Sequence, residues 1–286
     1  MSTSATTASP EFAEALSNVR RQATSKASHQ SKPAQLLVAI ESTLSASLKT
    51  DILPHTPTAY FVSVLQCLQK AYNDEIEGAD EEAMAESENM GQGALIPALL
   101  YLLAIIIPET PANVVISKNS AVLECVLPLF ENAMEHPPAL RSLVQIVTSL
   151  IGFATPQVLN SSPLLKKSWN YLLELNLDPR PKVRHLAQEG VRKVLTTPVP
   201  PKLTAGNHPY LPKARDWVAG IFEEESKTGG ASGTTASKGK KARFADGEDG
   251  EGKRAIWVVQ GLRGWAAVWG ESVSQSPHQV TRAFRG

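Results

Sequence analysis

From residue 32 to residue 225, large apolar residues return every three or four positions, and almost no stretch alternates apolar with polar as a half-buried strand does. The pattern predicts eight helices. The first runs from Pro33 to about Ser47 on Leu36, Leu37, Ile40 and Leu44, and the second starts at Thr56-Pro57 and carries Tyr60, Phe61, Val64, Leu65 and Leu68. Leu95 to Ile107 follows, stopped by Pro108; Asn119 or Ser120 caps the next, which passes through Val122, Val126, Leu129 and Phe130. The remaining four are Ala139–Phe153, Leu164–Leu175, a helix after Asp178-Pro179 that ends at Leu195, and one from about Leu211 to Glu224. Prolines stand at helix starts, where a missing N–H costs nothing.

The eight helices fall into pairs, and helices in equivalent places begin about 40–45 residues apart, at Ala94, Ala139 and Pro179. A period of ~40–47 with two helices per unit belongs to HEAT and armadillo repeats. One hairpin cannot bury both of its apolar faces, so each unit covers its neighbour. The expected fold is therefore all-α, a HEAT/armadillo-like solenoid of paired antiparallel helices over residues 31–225. An irregular helical bundle is the plainer alternative.

The flanks differ. Residues 1–30 are poor in large apolar residues and read as a disordered tail with room for a short helix from Phe12 to Val19. Residues 226–254 are rich in Gly, Ser and Thr, then charged, and read as a flexible insertion. Within them KGKKAR (Lys238–Arg243) is a weak import-type basic cluster. Residues 255–286 reopen an apolar pattern, AIWVVQGLRGWAAVW, which Gly261 and Gly264 weaken by about 1 kcal/mol each relative to alanine. The chain stops without the polar capping unit that a solenoid needs, as a truncated gene product would.

Composition adds limits rather than chemistry. The chain has 286 residues, 42% of them hydrophobic, with a formal net charge of +0, so charge balance names no partner. Charge is segregated instead: Asp74 to Glu88 is acidic and Lys166 to Lys202 mostly basic. Cys67 and Cys125 each lie in an apolar helical pattern and read as buried reduced thiols, which suits a reducing compartment. No secretory signal is expected, and Ala94–Ile107 is too short to span a bilayer.

No GxGxxG, P-loop, GxSxG or HExxH pattern occurs, and Gly91-Gln92-Gly93 lacks the strand and the following residues of a phosphate loop. The six histidines have no partners at helical spacing, so no metal or other cofactor is expected. The paired carboxylates look solvated. An enzyme is not expected, nor is a small-molecule substrate or a membrane.

The segment LDPRPKVRHLAQEGVRKVL carries most information. On a helix, Val183, Ala187, Gly190, Val191 and Val194 share one face, and the small residues let a neighbouring helix approach closely. Arg184 lies at the edge of that face and is expected to pair structurally with Asp178 or a neighbouring unit's acid. Lys182, Arg192 and Lys193 project on the opposite side with His185 among them. With Lys166 and Lys167 of the preceding helix they are candidates for a surface that meets phosphate backbones, although Glu189 dilutes the field.

This segment closely resembles a motif of the ribosomal RNA-processing protein 12 family. The stretches QLLVAIESTL (Gln35–Leu44), TPTAYFVSVLQCL (Thr56–Leu68) and AIWVVQ (Ala255–Gln260) are similar to that family's N-terminal region. The resemblance implies long HEAT-repeat proteins of the nucleus and nucleolus that bind pre-ribosomal particles. It further implies support of pre-rRNA maturation and nuclear export of subunits, with transport factors such as Ran and karyopherins as further partners and no catalytic residues to carry over. Family members are several times longer, and after Gln260 the chain leaves their pattern. A general HEAT adaptor that binds only protein is the alternative function.

Overall fold

The structure is a computed structural model that describes residues 9–77, 94–196, 208–228 and 254–262. The acidic stretch beyond residue 77, Gly91–Gly93, Lys202, most of the 226–254 insertion with its KGKKAR cluster, and the residues after 262 lie outside the described residues. Every described element is helical. The chain divides into two compact units, residues 1–150 and 151–286, where the sequence pattern had suggested one helical domain over 31–225.

Six helices begin in the first unit: α1 (Pro10–Arg20), α2 (Ser28–Leu48), α3 (Pro57–Glu77), α4 (Leu95–Ile106), α5 (Ala112–Asn132) and α6 (Pro137–Phe153). α1 is part of the fold. Ser9 caps it by accepting the Phe12 N–H at 3.1 Å, and Phe12, Leu16 and Val19 are buried. The helical unit thus takes in residues that composition had left in the tail, because three apolar residues at i, i+4 and i+7 are enough to seat a short helix on a core. At its end Arg20 reaches the buried Glu41 of α2, which also accepts a 2.8 Å bond from Tyr60 Oη of α3. Burial first, and then the bond to Glu41, push the Tyr60 phenol well above its ordinary pKa.

α4 is apolar almost all round and buries most of its residues, leaving Leu95 and Tyr101 exposed. α5 begins eight residues earlier than a cap at Asn119 would place it. Asn119 is buried inside the helix and its amide points at the Leu150 carbonyl, 3.5 Å away. Pro33 and Pro128 also lie inside helices rather than at their starts. The stretch Ala112–Glu135 is long and apolar enough to cross a membrane by length and composition, and half of its most apolar window is buried within the protein. Cys125 is buried, and burial raises its pKa. Cys67 is exposed, contrary to the buried thiol expected, because it sits about a quarter turn away from the stripe of Phe61, Val64, Leu65 and Leu68.

The second unit holds α7 (Pro156–Ser161), α8 (Pro163–Glu174), α9 (Pro181–Thr196), α10 (Leu211–Thr228) and a further helix, α11, over 254–262. Thr155 and Ser162 cap α7 and α8, each followed by proline at the first helical position. α7 is too short to leave an apolar period in the sequence. Its Leu159 is buried, and the Leu159 carbonyl accepts the hydroxyl of Tyr210 at 3.0 Å, tying the start of α10 to α7. Around Tyr210 stand the rings of Trp169 and His208, at 5.3 and 5.5 Å between centroids, and all three residues are buried. α4, α6 and α9 begin 42 and 44 residues apart, which matches the repeat period read from the sequence.

Candidate functional surface on α8 and α9

α9 places its residues by a simple division. Val183, Ala187, Gly190, Val191, Val194 and Leu195 are buried, while Lys182, His185, Glu189 and Lys193 are exposed. α8 packs against it and buries Leu165, Ser168, Trp169, Leu172 and Leu173, leaving Lys166 and Lys167 exposed. Both helices therefore turn an apolar face inward and carry their lysines outward.

The cations are not equivalent. Lys166, Lys182 and Lys193 form no ion pair among the described residues. Lys167 sits with its Nζ 5.8 Å from the centre of the Tyr171 ring, a contact that orients the ammonium without neutralising it. Arg192 is committed to Glu189 one turn back: its Nε donates at 2.7 Å, and its Nη2 donates to the other carboxylate oxygen. That bond holds the Glu189 carboxyl below its usual range. Arg192 and Glu189 thus form a locally neutral pair, and the free positive charge of this surface rests on the four lysines.

Asp178 and Arg184 stand at the entry to α9, but not as partners through their charges. The buried Asp178 carboxylate is gripped by Arg180, whose backbone N–H and Nε each donate to Oδ1 at 2.8 Å, while Nη2 donates to Oδ2 at 2.6 Å. Arg180 is held above its ordinary pKa by that bonding. Arg184 instead donates its Nη1 to the backbone carbonyls of Asp178, at 2.9 Å, and Pro179, at 3.3 Å. The expected Asp178–Arg184 ion pair is replaced because Arg180, two residues away, satisfies the carboxylate from the same turn. Arg184 holds its guanidinium carbon over the ring of Trp257 of α11, 4.4 Å from the ring centre.

Trp257 and Gln188 are residues that the pattern of the sequence does not single out. Gln188 lies among the buried residues of α9 and donates its amide to the Trp257 carbonyl at 3.0 Å. Gly261 lies against the same side chain: a Cβ there would make ordinary contact with Gln188, 3.4 Å away. Trp257 lies in the AIWVVQ stretch that carries the family likeness, but no spacing joins it to Gln188. Among the described residues no group of three or more His, Cys, Asp or Glu side chains is placed to hold a metal ion.

An all-helical chain with paired helices at this period and apolar faces turned inward is a HEAT-type helical repeat protein of the α-solenoid class. Its family is defined by sequence: residues 3–249 match the family of RRP12-like, N-terminal HEAT repeats, and the chain belongs to it. Ribosomal RNA-processing protein 12 of Saccharomyces cerevisiae (strain ATCC 204508 / S288c) is 27% identical over 216 residues, 74% of this chain but 16% of that protein. The chain thus spans about a sixth of the length of that relative. No solved structure matches it.

Proposed function

We propose that this chain is a non-catalytic scaffold in ribosome biogenesis. It binds pre-ribosomal particles through their pre-rRNA and supports rRNA processing and nuclear export of subunits, working in the nucleus and nucleolus. Family membership supports the biogenesis setting, together with a relative named for ribosomal RNA processing. The observation that carries the RNA part is the set of exposed lysines, Lys166, Lys167, Lys182 and Lys193, on two packed helices whose apolar sides are already satisfied. Ammonium groups of this kind attract phosphates without reading bases, which suits a scaffold that grips a folded RNA. Arg192 contributes less than its charge suggests, because Glu189 accompanies it.

The double change Lys182→Glu and Lys193→Glu tests this reading. RNA affinity is expected to fall about tenfold or more at low salt, and the slope of log affinity against log salt to lessen. An unchanged slope would sink the RNA role of this face.

A second reading, a general HEAT adaptor that binds only protein, is favoured by a separate observation. Leu48, Ile52 and Leu53 are all exposed around the turn after α2, Ile52 at 79%. Transport factors of the Ran and karyopherin kind are partners under either reading. A pull-down with the intact chain from nuclear extract separates the two: pre-rRNA with assembly factors supports the first, and protein subunits without rRNA support the second.

A further inference from the structure

The contact between α9 and α11 has the chemistry of base recognition, with an indole in the place of a base. The Arg184 guanidinium carbon stands over the Trp257 ring, 4.4 Å from its centre, and Gln188 donates an amide hydrogen to the backbone carbonyl of Trp257. Arg184 and Gln188 are each only 8% exposed under this cover. Arg184 Nε is buried and has no hydrogen-bond partner, so the seat holds one donor that its present occupant leaves unmet.

The occupant is held lightly. Of the nine described residues of α11 only Val258 and Gly261 are buried, against half of α9. Its other anchor, the Arg254–Glu224 pair at 3.4 Å, has an exposed carboxylate and contributes little.

We propose that Arg184 and Gln188 form a binding seat for an unstacked base of single-stranded RNA, which Trp257 closes in cis. The proposal rests on the RNA reading of this face. A base takes the place of the indole over the guanidinium, its exocyclic carbonyl accepts from Gln188, and the neighbouring phosphate meets Arg184 Nε. Uracil, guanine and cytosine carry such a carbonyl and fit, and adenine does not. When α11 is seated, RNA has only the lysines, and when it leaves, the seat adds stacking and one directed bond. Apparent affinity scales with the fraction of molecules in which the seat is open.

The test uses the full chain, wild type and Trp257→Ala, with fluorescent 15-nucleotide oligouridylate and oligoadenylate, alongside hydrogen exchange of residues 254–262. The amides of α11 are expected to exchange much faster than those of α9 in the wild type, and faster again in the variant. Trp257→Ala is expected to raise oligouridylate affinity about threefold or more, with a smaller gain for oligoadenylate. Adding Gln188→Ala is expected to remove the difference between the two oligomers. Exchange in wild-type α11 as slow as in α9 would overturn the closure. A Trp257→Ala chain whose α11 amides are open but whose oligouridylate affinity is unchanged would overturn the seat. Lysine reversal separates that failure from the wider one: if Lys182→Glu with Lys193→Glu still weakens binding, only the seat is lost. If neither change matters, the RNA reading falls with it.

Discussion

Replacing Trp169 by alanine is expected to destabilise the protein by about 3–5 kcal/mol, the range for deleting a buried tryptophan side chain. Trp169 is fully buried at the centre of the second unit, with Tyr210 and His208 against its ring. Those two residues open α10, and Tyr210 reaches on to the Leu159 carbonyl of α7. Removing the indole leaves a void between α8 and the rings of His208 and Tyr210, and close-packed surroundings relax into such a void only in part. Trp169→Phe is expected to cost much less. The Nε1–H is buried with no acceptor, so phenylalanine gives up volume but also removes an unmet donor. Urea unfolding of the three chains decides the matter. An alanine variant that loses less than ~1 kcal/mol would show that the cluster is not the packing centre of this unit.

The second large effect is one of pH. Burial pushes His208 down to about 4 from 6.5. Its Nδ1 accepts the Tyr210 N–H at 3.1 Å, so the neutral ring carries its hydrogen on Nε2, which has no partner. Protonation would place a charge in this aromatic cluster without a counter-ion. The unfolded chain takes up the proton first, near 6.5, and the folded chain resists until about 4. Stability from this residue is therefore complete above pH 6.5 and is lost as pH falls from 6.5 to about 4. At about 1.4 kcal/mol per pH unit, the total is roughly 3 kcal/mol. His208→Gln is expected to flatten that part of the curve, measured as unfolding free energy at pH 7, 6, 5 and 4. Parallel curves for the two chains would refute it, since the carboxylates that also titrate there are common to both.

Much of this architecture was legible in the chain, and the misses have local causes. Apolar spacing located α3, α4, α6, α8 and α10 because each turns a continuous stripe to the core. Ser162-Pro163 announced the start of α8 by capping chemistry alone. Proline misled at Pro33, which was read as a helix opener and lies inside α2. Asn119 looked like a cap because asparagine usually is one, but a buried carbonyl at Leu150 gave its amide a use in mid-helix.

For the candidate surface, helical periodicity was enough to send Lys182 and Lys193 outward and Val183 and Val191 inward. It did not reveal which acid each arginine would choose. Glu189 takes Arg192, Asp178 takes Arg180, and Arg184 is left to the backbone and to Trp257. Those choices depend on side-chain reach within one turn and on a contact 73 positions away along the chain. Neither has a period.

The hold of α1 on Glu41 sets a practical boundary for anyone working with this protein. A fragment begun at residue 31, where the composition first turns helical, would discard Phe12, Leu16, Val19 and Arg20 together. It would uncover apolar surface and leave the Glu41 carboxylate enclosed with Tyr60 as its remaining partner. Such a fragment is expected to express poorly and to unfold at lower temperature than one begun before Ser9. The gene should therefore be cut ahead of residue 9, although the sequence there looks dispensable.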